Sequence, residues 1–143
     1  TLANNHALDF GPEGLAEMAT RLQAAGIDLA GAGPDPASAA RPLFREAGGL
    51  RFAFLAFNQV PDPADGPADS GWTRAGWNKE SAIAAVAAAR TGADAVIVSI
   101  HWGYEYDLRA DPAQRADAHA LLAAGADLVV TYAAKEAARA LGR

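Results

Sequence analysis

The sequence predicts one α/β domain with a mixed sheet, because apolar strand-like runs alternate with helical segments and one Gly-Gly turn marks a hairpin. Residues 95–100 are rich in β-branched side chains, which is typical of a buried strand. The hairpin comprises residues 42–47 and 50–58, joined by Gly48-Gly49. Within it, residues 51–57 are almost wholly apolar, which predicts a central strand covered on both faces.

Helix boundaries are marked by capping residues and glycines. Proline in the first turn and an acidic neighbour favour a helix start at Gly11-Pro12-Glu13. Short strands are predicted over residues 27–32 and 127–131, and residues 61–77 form a long loop rich in Pro, Gly and Asp. The predicted helices run from Gly11 to Gly26, from Asn78 or Ser81 to Gly92, and from Asp111 to Gly125, followed by an Ala-rich helical segment over residues 133–141.

Composition limits the class of protein. The chain has 143 residues, enough for one domain with a hydrophobic core, and 51% of them are hydrophobic. The formal net charge of −5 argues against a nucleic-acid partner, and an anionic substrate would need a locally positive site such as a bound cation. Without cysteine, disulfides and thiolate ligands are excluded. We see neither a signal peptide nor an apolar run of about 20 residues that a membrane helix needs.

Candidate chemistry lies beyond the carboxyl ends of the predicted strands, where ligands gather in open α/β sheets. His101 directly follows the strand over residues 95–100, with Trp102 beside it and Glu105 close behind. Imidazole and carboxylate together suit Mn, Fe or Zn. The structural alternative is a histidine that satisfies a strand-end carbonyl, with Trp102 in the core.

A second candidate is the polar loop that contains Asn5 and His6. Asparagine beside a turn commonly caps backbone groups, so this pair alone is a weak sign of a site. Asp9 is most simply the N-cap of the first helix, although it could also orient His6. Trp72 and Trp77 could contact a ligand, but aromatic residues that hold a long loop to the core are more common.

Taken together, these segments resemble CapA-type proteins of poly-γ-glutamate capsule synthesis, a branch of the calcineurin-like metallophosphoesterases. The blocks Ala-Asn-Asn-His-Ala-Leu-Asp and His-Trp-Gly-Tyr-Glu-Tyr are specific as a pair, and the resemblance ends near residue 130. It implies an incomplete, layered mixed-sheet sandwich of the metallo-dependent phosphatase type over residues 1–143. The matching segments are residues 1–11, 31–33, 51–55, 101–106 and 125–130.

The resemblance also implies roles for particular residues. Asn5 and His101 match metal ligands of the family, and His6 matches the histidine that contacts the reacting group. The resemblance also implies a substrate-binding role for Glu105 and for Trp102, which belongs to the same block. A divalent metal (Mn, Fe or Zn) is the implied cofactor, and polyglutamate or a small phosphate-containing molecule is the implied substrate.

The chain also departs from the family pattern. An acidic motif and a Gly-Asp strand end of the family have no counterpart here, and the family's Gly-His-x-x-His stretch is replaced by Thr-Tyr-Ala-Ala-Lys-Glu over residues 131–136. Two neutral ligands without a bridging carboxylate should hold a divalent ion poorly. The departures suggest a fragment, a frameshifted end or a degenerate copy.

Two functional hypotheses follow. The first is a fragment of a CapA-like protein of capsular polyglutamate or exopolysaccharide synthesis, with an incomplete metal-dependent hydrolase site and little activity of its own. The second is a noncatalytic binding or scaffold domain of a cell-envelope assembly, which would use the Trp72/Trp77 loop. The family implies work at the membrane or outside the cytoplasm, in contact with capsule machinery.

Overall fold

The chain forms a four-stranded mixed sheet with helices packed on one face, as seen in a computed structural model that describes residues 1–61, 71–103 and 109–132. In chain order the elements are α1 (Gly11–Ala24), β1 (Ala32–Gly33), α2 (Pro36–Ala39), β2 (Leu43–Ala47), β3 (Leu50–Asn58), β4 (Thr73–Arg74), α3 (Lys79–Arg90), β5 (Ala95–His101), α4 (Pro112–Ala123) and β6 (Leu128–Tyr132). The main sheet has the order β2-β3-β5-β6, and a small two-stranded ladder pairs β1 with β4. The predicted α/β class with a mixed sheet is confirmed.

The predicted hairpin is present and fixes one side of the sheet. β2 and β3 pair antiparallel, with Ala47 opposite Leu50. Gly48 and Gly49 between them have φ angles of 59° and 79°. A two-residue type I′ turn needs positive φ at both positions, and glycine adopts it without a Cβ clash.

The other strands are parallel, and this brings the carboxyl ends of β3 and β5 to the same edge. β3 pairs with β5 in the register that sets Asn58 opposite His101, and β5 pairs in turn with β6. The backbone amide of Gln59 donates to the carbonyl of His101 at 2.8 Å, which ties the two strand ends together. The last residues of β3 and β5 are therefore neighbours.

One face of the sheet forms the main core beneath α3 and α4. Because side chains alternate along a strand, every second residue of β3 and β5 points to this face. The described members of this core are all hydrophobic. They include Ala53, Leu55 and Phe57 of β3, Val96, Val98 and Ile100 of β5, Ala82, Val86 and Ala89 of α3, and Leu121 of α4.

The opposite face is partly open. Phe54 and Ile97 are only half-buried there, while Leu128 and Val130 of β6 are exposed. A groove of about 360 Å³ runs over this face. The prediction that the strand over residues 51–57 is covered on both faces is therefore wrong for the described part of the chain, where helices cover one face only.

The amino-terminal segment forms a smaller cluster around α1. Leu15 of α1 packs with Ala7 and Leu8, and Trp72 lies against them. The helix ends in a Schellman motif, in which the amide of Ile27 donates to the carbonyl of Leu22 at 2.9 Å. This cluster anchors the loop that carries Asn5 and His6.

The strand predicted over residues 27–32 is mostly wrong. Only Ala32 and Gly33 belong to a strand, β1. Upstream, the amide of Leu2 donates to the carbonyl of Ala30 at 2.9 Å, an isolated bond rather than a ladder. A strand needs a partner over several residues, and the described residues offer the segment before Ala32 no such partner.

The predicted starts of α3 and α4 are confirmed. The Asn78 side chain accepts a hydrogen bond from the amide of Ser81 at 2.9 Å and caps α3. Asp111 and Gln114 form a reciprocal capping box at the start of α4. Within the described residues, we find no helix with the length and apolar character needed to cross a bilayer.

Candidate functional site

His101 and Asn5, ninety-six positions apart in sequence, meet at the carboxyl edge of the sheet. His101 ends β5 and is only 6% exposed. Its Nε2 lies 2.8 Å from Oδ1 of Asn5. An amide oxygen can only accept, so the imidazole donates from Nε2 in this arrangement. The contact joins the two blocks that the sequence singled out, and it differs from the alternative in which His101 only satisfies a strand-end carbonyl.

The two adjacent asparagines make different contacts: Asn4 caps the turn, and Asn5 contacts His101. Oδ1 of Asn4 accepts a hydrogen bond from the amide of His6 at 2.9 Å, which closes the turn. Backbone capping is therefore the role of Asn4, and the side chain of Asn5 is left to reach His101.

His6 lies on the outer side of the same loop and is oriented by a carboxylate. Its side chain is 70% exposed, and its Nδ1 lies 3.1 Å from Oδ2 of Asp9. Nε2 faces Nδ2 of Asn5 at 3.4 Å, a long contact. Asp9, His6, Asn5 and His101 thus form a continuous chain of polar contacts, in which an N–H on Nδ1 of His6 leaves Nε2 as an acceptor.

The prediction that Asp9 caps the first helix is wrong. The N-cap of α1 is Phe10, and it makes no side-chain cap hydrogen bond. The turn over residues 4–10 instead brings the Asp9 carboxylate to Nδ1 of His6, which is the alternative that the sequence left open.

A close packing contact holds this loop against the sheet. Gly31 has a φ of +85°, and a Cβ built there would lie 2.6 Å from Cβ of Ala3 and 2.8 Å from Cβ of Ala56. The absent side chain lets Gly31 lie closely between the segment before Asn4 and β3. This backbone approach places Asn5 within reach of the end of β5.

Trp102 lies in the core behind His101. Its side chain is buried and meets Trp77 edge to face, with ring centroids 5.6 Å apart. Trp77 makes a similar contact with Phe57 at 5.9 Å, and Trp72 packs beside α1. The two tryptophans of the long loop thus act as aromatic anchors, and a substrate contact by Trp102 stays a prediction. Glu105 lies outside the described residues.

The sequence interpretation missed Asn58. This residue ends β3, is 4% exposed, and shares the register of His101 in the neighbouring strand. Its Nδ2 donates to the carbonyl of Val60 at 2.7 Å. Its Oδ1 is buried and has no hydrogen-bond partner among the residues that the structure describes. The signal available in the sequence was a polar side chain at the end of an apolar strand.

The donor atoms of Asn5 and His101 lie about as far apart as two ligands of one ion. Ligands bound at right angles about 2.1 Å from one ion lie about 3 Å apart. The 2.8 Å between Nε2 of His101 and Oδ1 of Asn5 is close to that separation. Within residues 1–61, 71–103 and 109–132, no group of three His, Cys, Asp or Glu side chains could hold a metal ion. The described residues therefore supply two neutral donor atoms at this edge and do not by themselves complete a metal site.

Comparison with known proteins agrees with the two sequence blocks. Residues 1–135 match the family described as bacterial capsule synthesis protein PGA_cap. The chain is 31% identical over 140 residues to the PGA biosynthesis protein CapA of Bacillus subtilis, covering 91% of this chain and 34% of that protein. It is 30% identical over 135 residues to the capsule biosynthesis protein CapA of Bacillus anthracis, covering 92% and 33%.

A third relative is the probable polyglutamine synthesis accessory protein of Mycobacterium tuberculosis, which is 34% identical over 142 residues and covers 90% of this chain and 37% of that protein. The chain spans about a third of the length of the curated relatives it matches. From the match over residues 1–135, the chain belongs to the bacterial capsule synthesis protein family PGA_cap.

Proposed function

We propose that this chain is part of a CapA-like protein of capsular poly-γ-glutamate or exopolysaccharide synthesis, and that it carries half of a metal-dependent hydrolase site of the metallophosphoesterase type. The observation that carries the proposal is the contact between Asn5 and His101 at the edge of the sheet. The names of the relatives, which refer to capsule and polyglutamine synthesis, support the biological setting.

Asn5 Oδ1 and His101 Nε2 are the atoms that would hold the ion, in exchange for their mutual hydrogen bond and with the imidazole proton moved from Nε2 to Nδ1. A bound divalent ion supplies a positive centre that activates water and offsets charge on a substrate oxygen. His6 then has the geometry of a proton donor or acceptor, because Asp9 fixes its Nδ1 and Nε2 faces the side of Asn5. The exposure of His6 keeps it accessible to a substrate.

The proposed substrate is anionic: polyglutamate through its carboxylates, or a small phosphate-containing molecule. The chain carries a net charge of −5, so a bound cation is the simplest source of local attraction for such a substrate. With two neutral donors and no described carboxylate cluster, the chain alone should bind metal weakly and turn over little substrate.

Metal binding by the isolated chain tests the proposal directly. We would titrate the purified protein with Mn²⁺ and follow the loss of the free-ion EPR signal, with Zn²⁺ and Fe²⁺ as competitors. We expect near one Mn²⁺ per chain at high ion concentration, and loss of that binding in His101→Ala. The matched control is His119→Ala, since His119 is an exposed histidine on α4.

Equal Mn²⁺ binding by His101→Ala and His119→Ala would contradict the assigned metal site. Saturable binding of poly-γ-glutamate in the presence of EDTA would instead favour a noncatalytic binding domain. Rapid Mn²⁺-dependent hydrolysis of a model phosphodiester by this chain would contradict its proposed inactivity.

A further inference from the structure

We propose that Asn58 is a third donor of the strand-end site, with its side-chain Oδ1 directed to the same ligand as Asn5 and His101. This inference rests on the metal site proposed above and adds a residue to which the resemblance gave no role. Three observations carry it: the register of β3 with β5, the burial of Oδ1 without a described partner, and the fixed orientation of the amide.

The register places Asn58 and His101 side by side. They are paired residues of adjacent parallel strands, roughly 4.8 Å apart at the backbone, and such pairs point to the same face of a sheet. They lie at the carboxyl edge, where ligands of open α/β sheets bind. On the opposite face, the preceding residues Phe57 and Ile100 lie in the core.

The burial of Oδ1 calls for a partner. Buried side-chain oxygens in native proteins almost always accept a hydrogen bond or bind an ion, and exceptions tend to occur at functional sites. Asn58 is 4% exposed, and no described residue donates to its Oδ1. An amide oxygen is a hard, neutral ligand that suits Mn²⁺, Mg²⁺ or Ca²⁺.

The orientation of the amide is fixed by its other contacts. The backbone amide of Asn58 donates to Ala75 at 2.8 Å, and its carbonyl accepts from Trp77 at 2.8 Å. Nδ2 donates to the carbonyl of Val60 at 2.7 Å. Rotating the amide by half a turn would set Oδ1 against that carbonyl, oxygen against oxygen, so the hydrogen bond assigns Oδ1 to the opposite side.

The inference can be tested by adding a carboxylate at each of two adjacent residues and measuring the affinity for Mn²⁺. Asn58→Asp adds a carboxylate of nearly the same shape on the His101 face, and Gln59→Glu adds one at the exposed next residue. We expect Asn58→Asp to tighten Mn²⁺ binding about tenfold or more, because ligand charge sets cation affinity. Gln59→Glu should change it less than about threefold, because exposed charges are screened. Mn²⁺ should also raise the Tm of Asn58→Asp more than that of the wild type.

A measurement on the wild type covers the case in which Asn58→Asp does not fold. Zn²⁺ is diamagnetic, so it shifts mainly the signals of the groups that it coordinates. The side-chain carboxamide carbon and nitrogen signals of Asn58 should shift as Zn²⁺ is added, while those of Asn78, the cap of α3, stay in place. An unshifted Asn58 carboxamide beside shifted imidazole signals of His101 would overturn the inference and leave the proposed metal site intact.

The outcomes for the two proposals separate. Mn²⁺ bound by the wild type and lost in His101→Ala, together with equal affinities of Asn58→Asp and Gln59→Glu, would remove Asn58 alone from the site. Absence of Mn²⁺ binding in the wild type and in both variants would overturn the metal site and this inference together.

Discussion

The two faces of the central sheet are made from alternate residues of the same strands, yet they differ in what covers them. Under α3 and α4, three inward residues of β3 and three of β5 are buried and apolar. The other face carries a groove of about 360 Å³ lined by both apolar and charged side chains, and the polar residues Asn58 and His101 end the same two strands. Alternate residues of one strand therefore supply the buried core on one side and the candidate site on the other.

The largest expected difference in stability comes from replacing one isoleucine on each face with alanine. Ile100 is 0% exposed on the covered face, and Ile97 is half-buried on the open face of the same strand. We expect Ile100→Ala to lower the free energy of unfolding by about 2–5 kcal/mol, through lost burial and a cavity that cannot collapse. Ile97→Ala should cost less than about 1.5 kcal/mol, because its site is already partly hydrated.

Urea unfolding followed by circular dichroism measures both losses. If Ile100→Ala is too unstable to purify, Ile100→Val should still cost about 1 kcal/mol. Equal losses for the two alanine variants would mean that the faces are equally buried and that the open face is covered in solution.

The open face also depends on one glycine. Gly31→Ala would force a Cβ into contact with Ala3 and Ala56 and place a non-glycine residue at positive φ. We expect a loss of roughly 2–4 kcal/mol in the free energy of unfolding, from the clash and the left-handed backbone together. The control is Gly26→Ala, which has a φ of +73° and nothing within 4 Å of the added Cβ.

Gly26→Ala should cost about 1 kcal/mol in the same urea experiment, since it pays only for the backbone conformation. A loss in Gly31→Ala no larger than in Gly26→Ala would show that Gly31 is not closely packed between Ala3 and Ala56.

Much of the covered face could be predicted from local signals. The Gly48-Gly49 turn, the β-branched run before His101 and the two helix starts near Asn78 and Asp111 are signals that lie within a few residues. The structure has the predicted element at each of these places. These elements need no knowledge of distant partners. The core follows once the alternation along β3 and β5 is known.

The open face could not be predicted in the same way, because its contacts depend on distant partners. Whether residues 27–32 form a strand depends on a neighbour to pair with, and the sequence does not show one. Asp9 had two plausible local partners, and only the fold of the turn decided for His6. The role proposed for Asn58 depends on its register with His101, which a pattern of apolar residues cannot give.

Asn4 and Asn5 allow a matched pair of substitutions at the candidate site. Asn4 closes a turn, and Asn5 contacts His101. We expect Asn4→Ala to lower the free energy of unfolding by about 1 kcal/mol while Mn²⁺ still binds. Asn5→Ala should abolish Mn²⁺ binding to the same extent as His101→Ala, as read by EPR. Wild-type Mn²⁺ affinity in Asn5→Ala would exclude its side chain as a ligand.

The smallest expected effect is a loss of stability at low pH. It should arise at the Asp35 cap and not in the covered core, which is apolar. Asp35 caps α2, which lies beside the small β1-β4 ladder, and the hydroxyl and amide of Ser38 each donate to its carboxylate at 2.7 Å. These bonds, the hydroxyl first, lower the pKa of Asp35 below its ordinary 3.8. Because the folded pKa is the lower one, the cap stabilises fully above the ordinary value and is lost as pH falls through the folded value.

NMR titration of the Asp35 carboxyl measures this directly, and Ser38→Ala should move its midpoint up toward 3.8. Asp28 provides an internal control, because its own pKa is lowered by Arg45 and not by Ser38. The Asp28 midpoint should therefore stay where it is in the same variant. An unchanged Asp35 midpoint in Ser38→Ala would show that the hydroxyl does not lower this pKa, and would leave the amide of Ser38 as the donor that holds the carboxylate.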